Sequence, residues 1–268
     1  QYMDAEYDLA LDNFNKLKKD RRFARIIPSY EARIYYYLGR EEDLLRMAPE
    51  VLSQPDAFKK NEIRQMVGEL YFNRGEYEKA LKYYLESLGN DEGTNLDPNA
   101  APQGGVNRKA YSCLPQDLDY QIGYCYYQMH NYDSAAAYLE RKTLCVDSVA
   151  QNALYILGDV YLKTNDKDKA RSMFLQSSQM KFDPEITEDA LFNYAKLSCE
   201  LNKNPYNESI RSFEQYLEKY PKTKHKTEIQ EILTSLYLTT RNYKDALKLI
   251  ERIPNKTAKM NQAYERIV

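Results

Sequence analysis

A tyrosine returns at Tyr35, Tyr71, Tyr126, Tyr161 and Tyr237, each inside a helix-like run of residues. Nine residues after four of them stands a small residue, Ala80, Ala135, Ala170 or Ala246, and Leu44 takes that place in the first. With Ser198 counted as the odd member, the spacings are 36, 55, 35, 37 and 39 residues. These cluster just above the 34 that marks stacked helical hairpins, units that bury their apolar faces only by piling on one another. The period therefore predicts an all-α solenoid of antiparallel helix pairs. Its 268 residues count hairpins and not separate cores.

Aligned on the tyrosine, the first helices read Ala32-Arg33-Ile34-Tyr35, Gly68-Glu69-Leu70-Tyr71, Gly123-Tyr124-Cys125-Tyr126 and Gly158-Asp159-Val160-Tyr161. The small residue three places earlier lets neighbouring helices approach closely. Four places after the tyrosine comes Gly39, Gly75, His130, Asn165, Asn202 or Arg241, where the helix must end in a left-handed or otherwise special turn. The second helices open with Tyr77-Glu78-Lys79-Ala80-Leu81, Tyr132-Asp133-Ser134-Ala135-Ala136, Lys167-Asp168-Lys169-Ala170-Arg171 and Tyr243-Lys244-Asp245-Ala246-Leu247. Four residues beyond the crossing position, a large side chain recurs on the same face as Tyr84, Leu139, Phe174, Phe213 or Ile250.

These residues resemble the tetratricopeptide repeat (TPR) family, whose pattern has small residues at its eighth and twentieth places, Tyr at the eleventh and an aromatic at the twenty-fourth. The resemblance covers nearly the whole chain and implies a right-handed α–α superhelix over 1–268, about six full hairpins with partial repeats at both ends. Tryptophan is absent from the fourth place, and two extra residues around Asn204-Pro205 enlarge the fifth hairpin. Tyr7-Asp8-Leu9-Ala10 reads as the opening of a second helix, and Met260 to Val268 as the start of another first helix without a polar cap. The expectation is a fragment of a longer solenoid, the alternative being a natural chain with irregular ends. The spacing of 55 marks an insertion over 90–115 whose centre, Asn95 to Gly105, is too rich in Pro and Gly for a helix. It reads as an exposed loop, either functional or tolerated.

In this family the first helices line a concave face through the second, fifth, ninth, twelfth and thirteenth places. Here those places hold Tyr36, Tyr37, Phe72, Tyr120, Tyr124, Tyr127, Tyr155 and Phe192, interspersed with Arg33, Glu69, Asp159 and Lys196. Rigid rings beside charges are the composition of binding hot spots, because they bury area at small entropic cost. The chain carries 26 Tyr against eight Phe and no Trp, so most of its rings pack with one end and can hydrogen-bond with the other. For any one tyrosine, packing between repeats and partner contact both stay open. Family members that clamp a C-terminal carboxylate use Lys and Asn at the fifth and ninth places. This chain has Ser29 and Arg33, Gln65 and Glu69, Tyr120 and Tyr124, Tyr155 and Asp159, which do not form that clamp.

Other functions find little support. A net charge of −2 supplies no field for nucleic acid or anionic lipid, and no run of about 18 apolar residues is long enough to span a bilayer. Cys113, Cys125, Cys145 and Cys199 match no zinc spacing, so no metal site is expected, and no cofactor either. Cys125 and Cys199 read as buried thiols, whereas Cys113 and Cys145 can pair in an oxidising compartment. No nucleophile with a base, carboxylate pair or phosphate loop stands in a recognisable context, and Gly104-Gly105 is not one. His130 reads as a helix end, and His225, among Lys222, Lys224 and Lys226, as a solvated turn. The expected function is a non-catalytic scaffold holding a peptide or protein segment on the aromatic face. The alternative is a module for carbohydrate or peptidoglycan fragments, and a third reading is self-association through uncapped ends. Segments 152–177, 189–220 and 237–253 resemble repeats of long bacterial cell-envelope TPR proteins. That likeness implies a periplasmic or envelope setting, with outer-membrane assembly or division factors as partners.

Overall fold

The computed structural model describes residues 6–18, 20, 22–55, 57–88, 118–201 and 206–268. The expected insertion at 90–115, Cys113, Asn202 and the Asn204-Pro205 step lie outside the described residues. Among the described residues all regular structure is helical, in fourteen α-helices that fall into two compact units, Gln1–Leu144 and Cys145–Val268. The first unit holds α1 (Tyr7–Leu17), α2 (Ile27–Tyr37), α3 (Glu41–Ser53), α4 (Lys60–Asn73), α5 (Tyr77–Leu88), α6 (Asp119–Gln128) and α7 (Tyr132–Lys142). The second holds α8 (Ser148–Lys163), α9 (Lys167–Met180), α10 (Pro184–Leu201), α11 (Tyr206–Lys219), α12 (Lys226–Thr239), α13 (Tyr243–Glu251) and α14 (Ala258–Ile267).

One turn, used five times, makes hairpins of these helices. Gly39, Gly75, His130, Asn165 and Arg241 all take positive φ, between 56 and 75°. The N–H of the next residue, Arg40, Glu76, Asn131, Asp166 or Asn242, then reaches back to the carbonyl of the repeat tyrosine at 2.8–2.9 Å. The positive-φ residue itself donates to the carbonyl three residues before it, at 3.0–3.1 Å. This pair of bonds satisfies the last carbonyls of the first helix and fixes the reversal. Each second helix starts two residues past the turn, and at Asn131 and Asp166 the side-chain oxygen accepts from the third residue's N–H, Ser134 or Lys169, at 3.2 Å. Lys181, at φ 61°, ends α9 in the same conformation without any signal in the sequence alignment.

The crossing of each pair depends on small residues facing large ones. A methyl group on Gly123 would stand 2.7 Å from Leu139 Cγ, and one on Gly158 would stand 2.7 Å from Phe174 Cε1. Ala80, Ala135, Ala170 and Ala246 are wholly buried on the partner helices, as are Tyr84, Leu139, Phe174, Phe213 and Ile250 to within 2%. Burying each such large side chain contributes about 1.5–3 kcal/mol. In the first full hairpin the larger Leu44 is accommodated because Ala32 and Ala48, both fully buried, share its cluster.

In the second unit a fully buried amide adds a polar pin. Gln151 on α8 donates through Nε2 to Thr187 Oγ1 at 2.9 Å and to the carbonyls of Ser177 and Asp183 at 3.3 Å. Its Oε1 accepts the Asp183 N–H at 2.7 Å, and the Ser177 hydroxyl donates to the Gln151 carbonyl at 3.0 Å. One side chain thereby ties α8 to α9 and to the start of α10, where Asp183 Oδ1 accepts from the N–H groups of Glu185 and Ile186. Cys145 is disulfide-bonded, whereas Cys125 and Cys199 are free.

Candidate binding surface

In the first unit α4, α5, α6 and α7 bring their rings into one continuous cluster. Tyr124 is its hub, with centroids 5.3 Å from Phe72, 5.7 Å from Tyr77, 6.0 Å from Tyr120 and 6.2 Å from Tyr127. Phe72 continues inward to the buried ring of Tyr84 at 6.4 Å, and Tyr127 outward to Tyr132 at 6.5 Å. Phe72, Tyr120, Tyr124 and Tyr127 are all half-buried. Burial pushes the phenol of Tyr120 well above its ordinary value, and burial followed by the charge and hydrogen bond of Tyr124 raises that of Tyr77. These hydroxyls stay protonated at neutral pH and serve as hydrogen-bond donors on an otherwise apolar surface.

On α2 and α4 the same surface becomes charged. Tyr36 donates to Glu69, and its phenol is raised first by burial and then by that carboxylate. Tyr37, 60% exposed, stacks on Tyr7 with centroids 6.0 Å apart, and Arg33 is paired with Glu62. Of the twelve residues expected on the aromatic face, eight, namely Arg33, Tyr36, Tyr37, Glu69, Phe72, Tyr120, Tyr124 and Tyr127, thus share the first unit with Tyr77 and Tyr132, which the first-helix alignment missed. Their signal was present, since Tyr77 and Tyr132 both stand at the first position of a second helix.

The remaining four belong to the second unit and behave differently. Phe192 corrects the expectation of a partner-facing ring: it is 3% exposed, part of a core cluster with Tyr216 and Phe213, and lies flat on His225 at 3.9 Å. His225 in turn is not a solvated turn residue. Its side chain is 14% exposed, and Nε2 lies 2.7 Å from Asp189 Oδ1. Asp189 also takes Lys224 Nζ at 2.6 Å and the hydroxyl of Tyr155. Burial alone would raise this carboxyl, but the bonds from Lys224, Tyr155 and His225 outweigh it and hold the pKa below the ordinary value. Tyr155 is therefore held by this network and by an edge contact with Phe174 at 5.6 Å. Lys196 pairs with Glu228 at 2.6 Å in a geometry open to water, and Asp159 is half-buried on α8.

Comparison with known proteins follows the same register. Residues 62–94, 120–180 and 189–223 match models of the tetratricopeptide repeat. No curated protein sequence matches the chain. Among solved structures, the C-terminal part of a TPR repeat-containing protein from Cytophaga hutchinsonii is 20% identical, covers 98% of this chain and 96% of its own, and superposes with a TM-score of 0.61. YrrB, described as a TPR protein with an unusual peptide-binding site, is 17% identical over 84% of this chain and 99% of its own, with a TM-score of 0.54. The Naa15/Naa10 complex bound to HypK-THB contains a chain 15% identical over 98% of this one and 37% of its own, with a TM-score of 0.58. Hairpins closed by one repeated turn, crossings set by small residues and three matched segments in that register place this chain in the tetratricopeptide repeat family.

Proposed function

We propose that the chain is a non-catalytic interaction scaffold that holds a peptide or protein segment against the ring cluster of the first unit. The observation that carries this reading is the hub at Tyr124, where Phe72, Tyr77, Tyr120 and Tyr127 converge and remain half-exposed. Preassembled rings offer contact area with little rotamer entropy left to lose, and their protonated hydroxyls supply orientation. YrrB, with its peptide-binding site, is a precedent for such use of this fold. Tyr36, Glu69 and Tyr37 extend the surface toward polar groups of the partner. The disulfide at Cys145 fits an oxidising compartment and so supports the periplasmic or envelope setting.

The test is capture from an extract of the source cell, with mass spectrometry as readout, followed by calorimetry on the captured protein. Against that partner the Tyr120→Ala/Tyr124→Ala/Tyr127→Ala variant is expected to lose about 2 kcal/mol or more of binding free energy. Unchanged affinity in a variant with an intact circular-dichroism spectrum refutes the assignment. Transfer from cell-wall glycans in saturation-transfer NMR, with no protein captured, replaces the peptide reading with the carbohydrate one.

A further inference from the structure

The fifth hairpin lacks a feature that two of its sisters share. In α4 and α5 the repeat tyrosine Tyr71 stacks on Tyr83 at 5.7 Å, and in α6 and α7 Tyr126 stacks on Tyr138 at the same distance. The corresponding positions of α10 and α11 are Ser198 and Ser212, allowing for the two extra residues between these helices. Both rings are thus missing, and a cleft of about 550 Å³ opens there, lined by Ser198, Ser212, Leu191, Tyr194, Tyr216 and, from α9, Arg171. That volume falls within the roughly 300–1,000 Å³ of ligand-binding clefts.

A second observation points into the same space. The Ser198 hydroxyl is buried and has no hydrogen-bond partner, whereas the Ser212 hydroxyl is engaged by the Glu208 carbonyl at 2.9 Å. An orphaned buried hydroxyl is costly and calls for an explanation, and a ligand bearing a polar tip supplies one. The cleft floor is apolar at Leu191 and Ala195 and aromatic at Tyr216, while Arg171 and Lys219 stand among the lining groups.

We propose that this cleft receives a tyrosine side chain from a partner polypeptide, which restores in trans the ring that the hairpin lacks. The phenyl ring lies over Leu191, Ala195 and Tyr216, its hydroxyl meets Ser198 once that side chain turns from its buried rotamer into the cleft, and the cations donate to partner carbonyls or carboxylates. A ring suits this volume because two sister hairpins fill the equivalent place with rings, and a phenol suits the chemistry because Ser198 needs a polar partner at depth. The site uses α9, α10 and α11 alone and is independent of the Tyr124 cluster.

The experiment is a titration of the ¹⁵N-labelled chain with the capped peptide acetyl-Gly-Tyr-Gly-amide, alongside acetyl-Gly-Leu-Gly-amide. Saturable shifts are expected at the amides of 191–198 and 212–216, with the leucine peptide at least tenfold weaker. The Ser198→Tyr/Ser212→Tyr variant, which refills the cleft from within, should lose the response and melt at a higher temperature. Absence of shifts in the unsubstituted chain, equal response to both peptides, or undiminished binding by the folded double variant overturns the proposal. If that variant does not fold, Ser212→Leu narrows the cleft from α11 alone, and undiminished binding there is equally decisive.

Discussion

Replacing Gly123 with alanine places a methyl group where the hairpin of α6 and α7 has no room for one. The new Cβ would lie 2.7 Å from Leu139 Cγ, 2.9 Å from Leu139 Cδ2 and 3.2 Å from the Leu139 backbone nitrogen. Ordinary carbon contacts are about 3.5–4.0 Å, so the deficit approaches about 1 Å, and two of these three atoms cannot swing away because one is backbone and one is a branch point. Overpacking of this kind costs about 1–3 kcal/mol. Alanine's better helix propensity returns about 1 kcal/mol, which leaves a net loss of about 0–2 kcal/mol. Leu139→Ala alone should cost about 2–5 kcal/mol, since Leu139 is fully buried. In the double variant the added methyl enters space that Leu139 has vacated, so its loss should fall short of the sum of the two single losses by the relieved overpacking, about 1–3 kcal/mol. Native-state hydrogen exchange on the amides of α6 and α7 reads this hairpin directly, without treating the two units as one transition. Additivity within about 0.5 kcal/mol, or a Gly123→Ala chain more stable than the parent, would show that the close approach is not what sets this crossing.

Three further outcomes follow from other parts of the molecule. Gln151→Leu strands the half-buried Asp183 N–H and takes a donor from the Ser177 carbonyl and from the Thr187 hydroxyl, so urea unfolding followed through α8 and α9 should show a loss of about 1–3 kcal/mol; no loss would mean that water replaces the amide. Asp189 has a depressed folded pKa, so its contribution is present above the ordinary carboxylate value near about 3.9 and disappears as pH falls through the folded value. The acid limb of a stability–pH curve should therefore flatten in Asp189→Asn, and an unaltered limb would remove Asp189 from the acid response. Burial pushes the Cys125 thiol up to about 12, so iodoacetamide at pH 8 should label it only as fast as the chain opens, and labelling that keeps pace with the half-buried Cys199 would contradict that burial.

The sequence by itself determined the helical period, the turns and the crossings, because each is a local demand that few residue types meet. A left-handed turn four places after the tyrosine asks for Gly or Asn, and Gly39, Gly75 and Asn165 supply it. His130 and Arg241 fill the same turn because spacing, more than residue type, marked the place. Small residues opposite Leu139 and Phe174 were likewise legible, since volume must be conserved across a tight crossing.

Only the tertiary structure decided which rings are free. Phe192 and Tyr124 occupy comparable places on first helices, yet one is sealed beneath His225 and the other is shared among four half-exposed rings. The difference arises from residues about thirty or more positions away, His225 against Phe192 and Phe72 against Tyr124, and no periodicity within a helix encodes what docks over it. Ser198 was visible as a missing tyrosine, but that Ser212 faces it and leaves a cleft emerges only once α10 and α11 are packed together. Helix register is written in spacing, whereas exposure is a property of the assembled neighbours.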